Sequence, residues 1–343
     1  MKNYLTGNEK LDSQIEELVG LCEPGETECL LKEILTSVVK LGTESRDKGD
    51  LKLVNSVLKE LRYSFKIFSP YRQVRKVIIF GSARSKKDSP EYAMSEEFAR
   101  AVTARGWMVM TGGGPGVMEA GNKGAGPGSD FALNIRLPFE QKTNPYINEK
   151  DRIINFKYFF TRKLIFVKES DATALFPGGF GTMDEGFEML TLVQTGKSAP
   201  RPIILMEPEG SSYWSAWQRF AEEYLAGGGF ISKNDLNLFY LARDVKEAVK
   251  IIEDFYRVYH SIRYVSGLTV FRLNRAVSEK TLRLVNREFG DILTGGGIVP
   301  SGPTEEELHK KEFLQLPRLV MNFNRRDYGR LLELIRAINS DQS

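Results

Sequence analysis

The spacing of apolar and polar positions changes twice along this chain. Residues 1 to about 70 place leucine, isoleucine and valine at helical spacing, whereas residues from Val74 onward alternate short apolar runs with amphipathic segments. Past His260 the two patterns occur together in a shorter stretch. We therefore predict an N-terminal helical extension (1–72), a larger domain (73–260) and a small α+β module (261–343).

The larger domain has the pattern of an α/β fold. Apolar runs at 77–80, 172–176 and 203–206 are typical of buried strands, and an amphipathic segment follows each of them. Repeated strand–helix units predict a doubly wound parallel sheet covered by helices on both faces. The pattern further predicts a loop over 138–151, a helix over 156–168, helices over 213–225 and 245–259, and a strand-like stretch over 262–273.

Three glycine-rich loops follow strands of this domain. In such sheets ligands bind beyond the carboxyl ends of the strands, so the loops should converge there. Glycine allows close approach of the backbone to a ligand, and the first amides of a helix attract an anion such as phosphate. The candidate binding residues on these loops are Gly81, Ser82, Gly112, Gly113, Gly114, Gly178, Gly179, Phe180, Gly181 and Thr182.

The loops do not match two common nucleotide motifs. The first loop, Gly81-Ser82-Ala83-Arg84, lacks the Gly-x-Gly-x-x-Gly run of dinucleotide-binding folds, and no Gly-x-x-x-x-Gly-Lys-Ser/Thr run occurs. A mononucleotide or a sugar phosphate therefore fits better than a dinucleotide or a kinase-type magnesium nucleotide. The Gly295-Gly296-Gly297 run is not followed by a helix pattern, which favours a flexible turn.

Arg162 interrupts an apolar helix, where burying a charge is costly unless it is paired. One hypothesis is a structural ion pair with Glu185 or Glu188. The other is that Arg162 faces a phosphate or a substrate at the mouth of the sheet. Glu185, just after the third loop, and Glu119, after the second, could simply provide favourable charge at a helix start.

Composition narrows the class of protein. The 343 residues carry a net charge of +3 without a basic block, which disfavours nucleic-acid binding. Only two cysteines and two histidines occur, so a disulfide framework, a four-cysteine zinc site and a histidine-based metal centre at the loops are not expected. No apolar run reaches membrane-spanning length and no signal-peptide core is present. We expect a soluble, cytoplasmic protein.

Three motifs together resemble the LOG ("lonely guy") family of nucleoside 5′-monophosphate phosphoribohydrolases, often mislabelled as lysine decarboxylases. They are Gly112-Gly113-Gly114-Pro115-Gly116-Val117-Met118-Glu119-Ala120, Phe159-Phe160-Thr161-Arg162-Lys163, and Pro177-Gly178-Gly179-Phe180-Gly181-Thr182-Met183-Asp184-Glu185. The likeness covers about residues 74 to 260. It is greatest to longer bacterial members, which share Leu137-Pro138-Phe139-Glu140-Gln141 and Asn144-Pro145-Tyr146.

The resemblance implies a Rossmann-like fold, a homodimer or higher homo-oligomer, no obligatory cofactor, and release of free base and ribose 5-phosphate from a nucleotide such as AMP. The essential arginine and glutamate of the family fall on Arg162 and Glu185. Further substrate contacts implied by position or motif are Lys163, Thr191, Glu119 and Glu140, besides the loop residues.

The proposed chemistry has a physical reason of its own. Breaking the C1′–N bond builds positive charge on the ribose, which a carboxylate such as Glu185 stabilises more in the transition state than in the ground state. Decarboxylation is disfavoured because no motif identifies a pyridoxal-phosphate site. A non-catalytic carrier of a nucleotide or of molybdenum cofactor on the same fold remains the alternative, although a carrier has no need of this arginine–glutamate pair.

Overall fold

The computed structural model describes residues 4–45, 47–136, 143–147, 150–311 and 313–342. The chain forms two compact units, Met1–Tyr63 and Ser64–Ser343. The first unit is helical. The second contains a parallel sheet with its helices and a smaller antiparallel sheet. The three-part organisation, with the antiparallel sheet in a module of its own, stays a prediction.

The helices and strands are numbered in chain order. The α-helices are α1 (Glu9–Gly20), α2 (Glu28–Glu44), α3 (Lys48–Phe68), α4 (Pro90–Thr103), α5 (Val117–Ala125), α6 (Phe159–Glu169), α7 (Phe180–Gln194), α8 (Tyr213–Phe220), α9 (Val245–Phe255), α10 (Glu279–Glu288), α11 (Glu305–Lys310) and α12 (Tyr328–Asn339). The strands are β1 (Lys76–Phe80), β2 (Met108–Thr111), β3 (Asp130–Ile135), β4 (Ile153–Phe156), β5 (Ala172–Leu175), β6 (Ile203–Met206), β7 (Tyr240–Ala242), β8 (Tyr259–Val265), β9 (Leu268–Leu273), β10 (Val299–Ser301) and β11 (Arg318–Met321).

The larger sheet has seven parallel strands in the order β4-β3-β2-β1-β5-β6-β7. Its central strand, β1, is buried along its whole length, as expected for apolar residues between two helical layers. Val77, Phe98 and Ile252 belong to the core on one face. The strand order reverses between β1 and β5, and ligands of doubly wound sheets bind at such a point. The predicted Rossmann-like α/β fold is confirmed.

The smaller sheet is antiparallel, in the order β10-β11-β9-β8. Helix α12 links this sheet to α9 through the buried Asn339 side chain, which accepts the Val258 and Tyr259 amides at 2.8 and 2.9 Å and donates to the Phe255 carbonyl at 2.6 Å. At the other end of α12, Tyr328 leaves no room for a side chain at Gly196, which has φ of +68°. This module therefore packs against the residues that follow α7.

The structure corrects several predicted boundaries. Residues 153–156 form β4 beside β3, although we predicted a loop to 151 and a helix from 156; four residues before a helix are too few for periodicity to separate the two. The stretch 262–273 is two strands joined at Ser266 and Gly267, which both have positive φ, as tight hairpins require. Helix α8 continues as a π-helical segment, Ala221–Ala226, and α9 ends before β8 begins at Tyr259.

Candidate active site

A cavity of about 870 Å³ opens at the carboxyl edge of the parallel sheet, where β1 and β5 end. Residues from all three glycine loops line it, together with side chains from α6, α7 and α8. The lining residues are Phe80, Gly81, Ser82, Ala83, Arg84, Gly112, Gly114, Met118, Asn134, Ile135, Phe159, Arg162, Gly178, Gly179, Phe180, Gly181, Thr182, Met183, Glu185 and Tyr213.

Ser82 connects the three loops at the bottom of this cavity. Its amide donates to the Pro177 carbonyl and its carbonyl accepts the Val117 amide, each at 3.1 Å. A Cβ atom on Gly116 would lie 2.3 Å from the Ser82 carbonyl oxygen, and Gly116 has φ of +69°, so only glycine fits there. The convergence predicted for the loops is therefore produced by direct backbone contact between them.

A buried polar network supports the second loop. The Thr111 hydroxyl accepts the Gly113 amide at 2.9 Å and donates to Asn122 Oδ1 at 2.7 Å. Asn144 donates from its side chain to Asn122 Oδ1 at 2.9 Å and from its amide to the Gly113 carbonyl at 2.9 Å. Gly113 itself lies behind the cavity wall, whereas Gly112 and Gly114 line it. Buried polar groups that are mutually satisfied fix a loop in one conformation.

The third loop presents the N-terminus of α7 to the cavity. Gly179 is the N-cap residue, and no side chain caps this end of the helix. The amides of Phe180, Gly181 and Thr182 are in the first turn, where a helix provides no acceptor of its own. Together with the helix dipole they form a site for an anion.

Arg162 on α6 and Glu185 on α7 meet in the same cavity. The Arg162 Nη2 atom lies 3.2 Å from Glu185 Oε1, and the side chains are only 12% and 8% exposed. The guanidinium also lies over the Phe159 ring, 5.0 Å from its centroid. The structure thus shows the ion pair of Arg162 with Glu185, and both side chains line the cavity. That Arg162 faces a phosphate or a substrate stays a prediction.

Burial changes the proton affinity of this pair. Loss of solvation raises the pKa of Glu185 from 4.5 to about 7, although the positive charges of Arg162 and Lys163 act in the opposite direction. Burial also lowers the pKa of Arg162, against the attraction of Glu185, but an arginine remains protonated near neutral pH. The cavity therefore contains a fixed guanidinium and a carboxyl group that titrates near pH 7.

Other sequence-predicted residues lie outside the cavity wall. Lys163 forms ion pairs with Asp184 at 2.8 Å and Glu188 at 3.0 Å, so Glu188 is not the partner of Arg162. Glu119 is buried and accepts the Tyr92 hydroxyl at 3.2 Å, with Lys87 Nζ 3.0 Å away. Thr191 is exposed, further along α7. Glu140, with the 137–141 motif, lies outside the described residues.

Several residues that line the cavity were not predicted from the sequence. Tyr213 begins α8, about thirty residues after the third loop, and only the fold brings it to Gly178. Met118 and Asn134 could have been inferred from their places just after a glycine loop and at the end of a strand. Arg84 could have been inferred in the same way, since it ends the first loop.

No helix among the described residues has the length and apolarity needed to cross a bilayer. Within the same residues, no cluster of three or more histidine, cysteine or acidic side chains is arranged to hold a metal ion. Neither His260 nor His309 lines the cavity. The cavity lining provides the guanidinium groups of Arg84 and Arg162, the Glu185 carboxyl group, hydroxyl and amide side chains, and backbone amides.

Comparison with known proteins adds independent observations. Residues 108–252 match the family model described as possible lysine decarboxylase. The chain is 27% identical over 185 residues to cytokinin riboside 5′-monophosphate phosphoribohydrolase LOG3 of Arabidopsis thaliana, covering 53% of this chain and 83% of that protein. It is 26% identical over 171 residues to the enzyme of the same description from Mycobacterium tuberculosis, covering 47% of this chain and 87% of that one.

Among solved structures, similarity extends to the molybdenum cofactor binding protein of Rippkaea orientalis, with 19% identity, a TM-score of 0.38, and coverage of 52% of this chain and 94% of that one. The molybdenum cofactor carrier protein of Chlamydomonas reinhardtii gives 19% identity and a TM-score of 0.37, covering 52% and 96%. These two likenesses are too weak to bear on function.

Proposed function

We propose that the domain of this chain that is similar to the LOG family hydrolyses the N-glycosidic bond of a nucleoside 5′-monophosphate, releasing free base and ribose 5-phosphate. The observation that carries the proposal is the Arg162–Glu185 pair, which faces the cavity that also receives the uncapped end of α7. The names of the relatives indicate the reaction class, and an AMP-like nucleotide, such as a cytokinin riboside phosphate, is the proposed substrate.

The phosphate binds at the first turn of α7. Amides of Phe180, Gly181 and Thr182 donate to its oxygens, and the helix dipole favours its charge. Held by this remote group, the ribose is positioned beside Glu185, which follows one turn later on the same helix. Anchoring the phosphate thus lowers the entropic cost of reaching the reactive geometry without taking part in bond cleavage.

Glu185 acts on the sugar in its ionised form. The C1′–N bond breaks with its electron pair leaving on the base, and positive charge develops at C1′ and the ring oxygen. The Glu185 carboxylate stabilises that charge and orients the water whose oxygen bonds to C1′. The proton that this water loses passes to the carboxylate and from there to the departing base, which leaves as the neutral free base and returns Glu185 to its ionised form. Arg162 holds Glu185 in place and faces the phosphate or the departing base.

We also propose that the protein is a cytoplasmic homodimer. Large apolar side chains are exposed near the cavity on α6 and α7: Phe159, Phe160, Leu164, Phe180 and Phe187, of which Phe180 is 97% exposed. Several large apolar side chains exposed on two helices that contact each other are typical of an association site. Light scattering on the purified protein should give twice the mass of one chain, and a monomer at micromolar concentration would exclude a stable dimer.

The function is tested by incubating the purified protein with AMP, GMP, CMP or UMP and measuring free base and ribose 5-phosphate. We expect equal amounts of the two products from at least one nucleotide. Glu185→Gln should lower the rate of release by about 10²- to 10⁴-fold while nucleotide binding persists. Glu188→Gln is the matched control, because Glu188 lies one turn further on α7 and pairs with Lys163. No base from any nucleotide would favour the carrier of a nucleotide or of molybdenum cofactor.

A further inference from the structure

Tyr213 makes a hydrogen bond from α8 to the loop that begins α7. It lines the cavity, and its hydroxyl donates to the Gly178 carbonyl oxygen at 2.5 Å. The two residues are 35 positions apart in sequence. The bond therefore ties the third glycine loop to a separate part of the fold.

The start of α8 is itself fixed in place. Glu207, which follows β6 and is only 1% exposed, accepts the Ser215 amide at 2.9 Å and also the Ser215 hydroxyl. The Glu207 amide donates to the Ala242 carbonyl at the end of β7. Trp214 packs edge-on against the Tyr213 ring, with centroids 4.9 Å apart. Tyr213 thus begins a helix that is anchored to the ends of β6 and β7 by contacts that do not involve the third loop.

The bond determines the orientation of one peptide plane. A trans peptide directs its carbonyl and its amide to opposite sides, and no cis peptide bond is recorded in the described chain. Fixing the Gly178 carbonyl on Tyr213 therefore also fixes the direction of the Gly179 amide. A peptide between two glycines rotates easily, since neither residue has a Cβ to oppose it.

The two glycines have different surroundings. A Cβ atom on Gly178 would lie 2.2 Å from Thr182 Oγ1, whereas one on Gly179 would meet nothing within 4 Å. The Gly179 side of the peptide is therefore open to a ligand. Its amide adjoins those of Phe180 and Gly181 at the first turn of α7.

From these contacts we infer that Tyr213 is a positioning residue for the phosphate group of the substrate. Its hydroxyl selects the orientation of the Gly178–Gly179 peptide in which the Gly179 amide joins the other amides that face the anion. The inference rests on the proposed function for one point, the identity of the anion as a sugar phosphate. It assigns Tyr213 no part in bond cleavage.

The test compares Tyr213→Phe with the wild-type protein by calorimetric titration with ribose 5-phosphate, and by KM and kcat for AMP. The ring and its packing remain in this variant, and only the hydroxyl is lost. We expect the dissociation constant for ribose 5-phosphate and the KM for AMP to rise by roughly three- to tenfold, the range that one hydrogen bond supplies. The kcat and the thermal midpoint should change little.

Tyr224→Phe is the matched control, since Tyr224 is 56% exposed in the π-helical segment and stacks only on Phe220 among the recorded ring contacts. It should leave affinity unchanged. Unchanged affinity of Tyr213→Phe for ribose 5-phosphate would overturn the inference. A decrease in kcat by the same factor as the affinity, together with a lower thermal midpoint, would overturn it as well. A wild-type protein that binds ribose 5-phosphate but releases no base would refute the proposed hydrolysis alone; one that binds no ribose 5-phosphate would refute the role of Tyr213.

Discussion

Glu185 should give the proposed reaction a pH dependence that can be predicted from its surroundings. Burial raises the pKa of this carboxyl group to about 7, and the proposed mechanism uses only the ionised form. The protonated form cannot stabilise positive charge on the ribose. Activity should therefore rise with pH, with a midpoint near 7 in kcat/KM, which reports the free enzyme.

The size of the effect follows from the ionised fraction. With a pKa near 7, roughly nine-tenths of Glu185 is ionised at pH 8 and just under one-tenth at pH 6, so the rate should fall about tenfold over this interval. The midpoint in kcat should lie higher, because a bound phosphate adds negative charge that disfavours ionisation of a nearby carboxyl group. Replacing Glu185 by glutamine should lower kcat by about 10²- to 10⁴-fold.

The assay is initial-rate release of base from AMP between pH 5.5 and 8.5 at constant ionic strength. The substrate phosphate has its own ionisation near pH 6, which enters kcat/KM for every variant. Glu188→Gln should keep a single ionisation of the same shape, with its midpoint at a somewhat lower pH, because the negative charge of Glu188 contributes to raising the pKa of Glu185. The residual rate of Glu185→Gln should show the phosphate ionisation alone.

Two results would refute this reasoning. A wild-type kcat that is flat between pH 6 and 8 would mean that the ionisation of Glu185 does not limit the rate. A Glu185→Gln variant that keeps the ionisation near pH 7 would assign that ionisation to another group.

Two further predictions concern the same loop and helix. The pKa of Glu185 is raised in the folded protein, so its ionisation lowers the stability of the fold as the pH rises from about 4.5 to about 7. Replacing Glu185 by glutamine should therefore raise the free energy of unfolding, measured by urea denaturation, on the order of 3 kcal/mol at pH 8 and by little near pH 4.5. A difference between variant and wild type that does not change with pH would contradict this. Gly178→Ala should lower the thermal midpoint far more than Gly179→Ala, since only the first places a Cβ against Thr182, and equal thermal midpoints would refute that.

The sequence carried enough information for the parallel sheet because its strands are short and buried on both faces. Strands β1, β5 and β6 appear in the sequence as apolar runs that begin or end beside glycine or proline. Strand β4 was missed because it lies at the sheet edge and directly precedes α6. The tight turn at Ser266 and Gly267 was missed because one continuous strand-like run hid it.

The site could be predicted from the sequence where a charged side chain stands among apolar ones. Arg162 stands in an apolar helix, and an arginine there needs a partner. The choice of that partner was not predictable, because Glu185 and Glu188 lie one turn apart on α7 and periodicity gives both the same face. The structure pairs Arg162 with Glu185 and Lys163 with Glu188. Tyr213 was also beyond sequence reasoning, since its contact with Gly178 depends on the packing of α8.

The state of Glu185 distinguishes the two candidate functions in physical terms. A raised pKa means that the attraction of Arg162 does not fully repay the solvation that the carboxylate loses on burial. A carrier of phosphate esters gains nothing from such a group, because a carboxylate beside the binding site repels the anion. A hydrolase gains from it, because a poorly solvated carboxylate interacts most strongly with positive charge that appears only in the transition state. An ionised Glu185 therefore lowers the stability of the fold and the affinity for the anion, and we expect this in a site that stabilises positive charge at C1′ in the transition state.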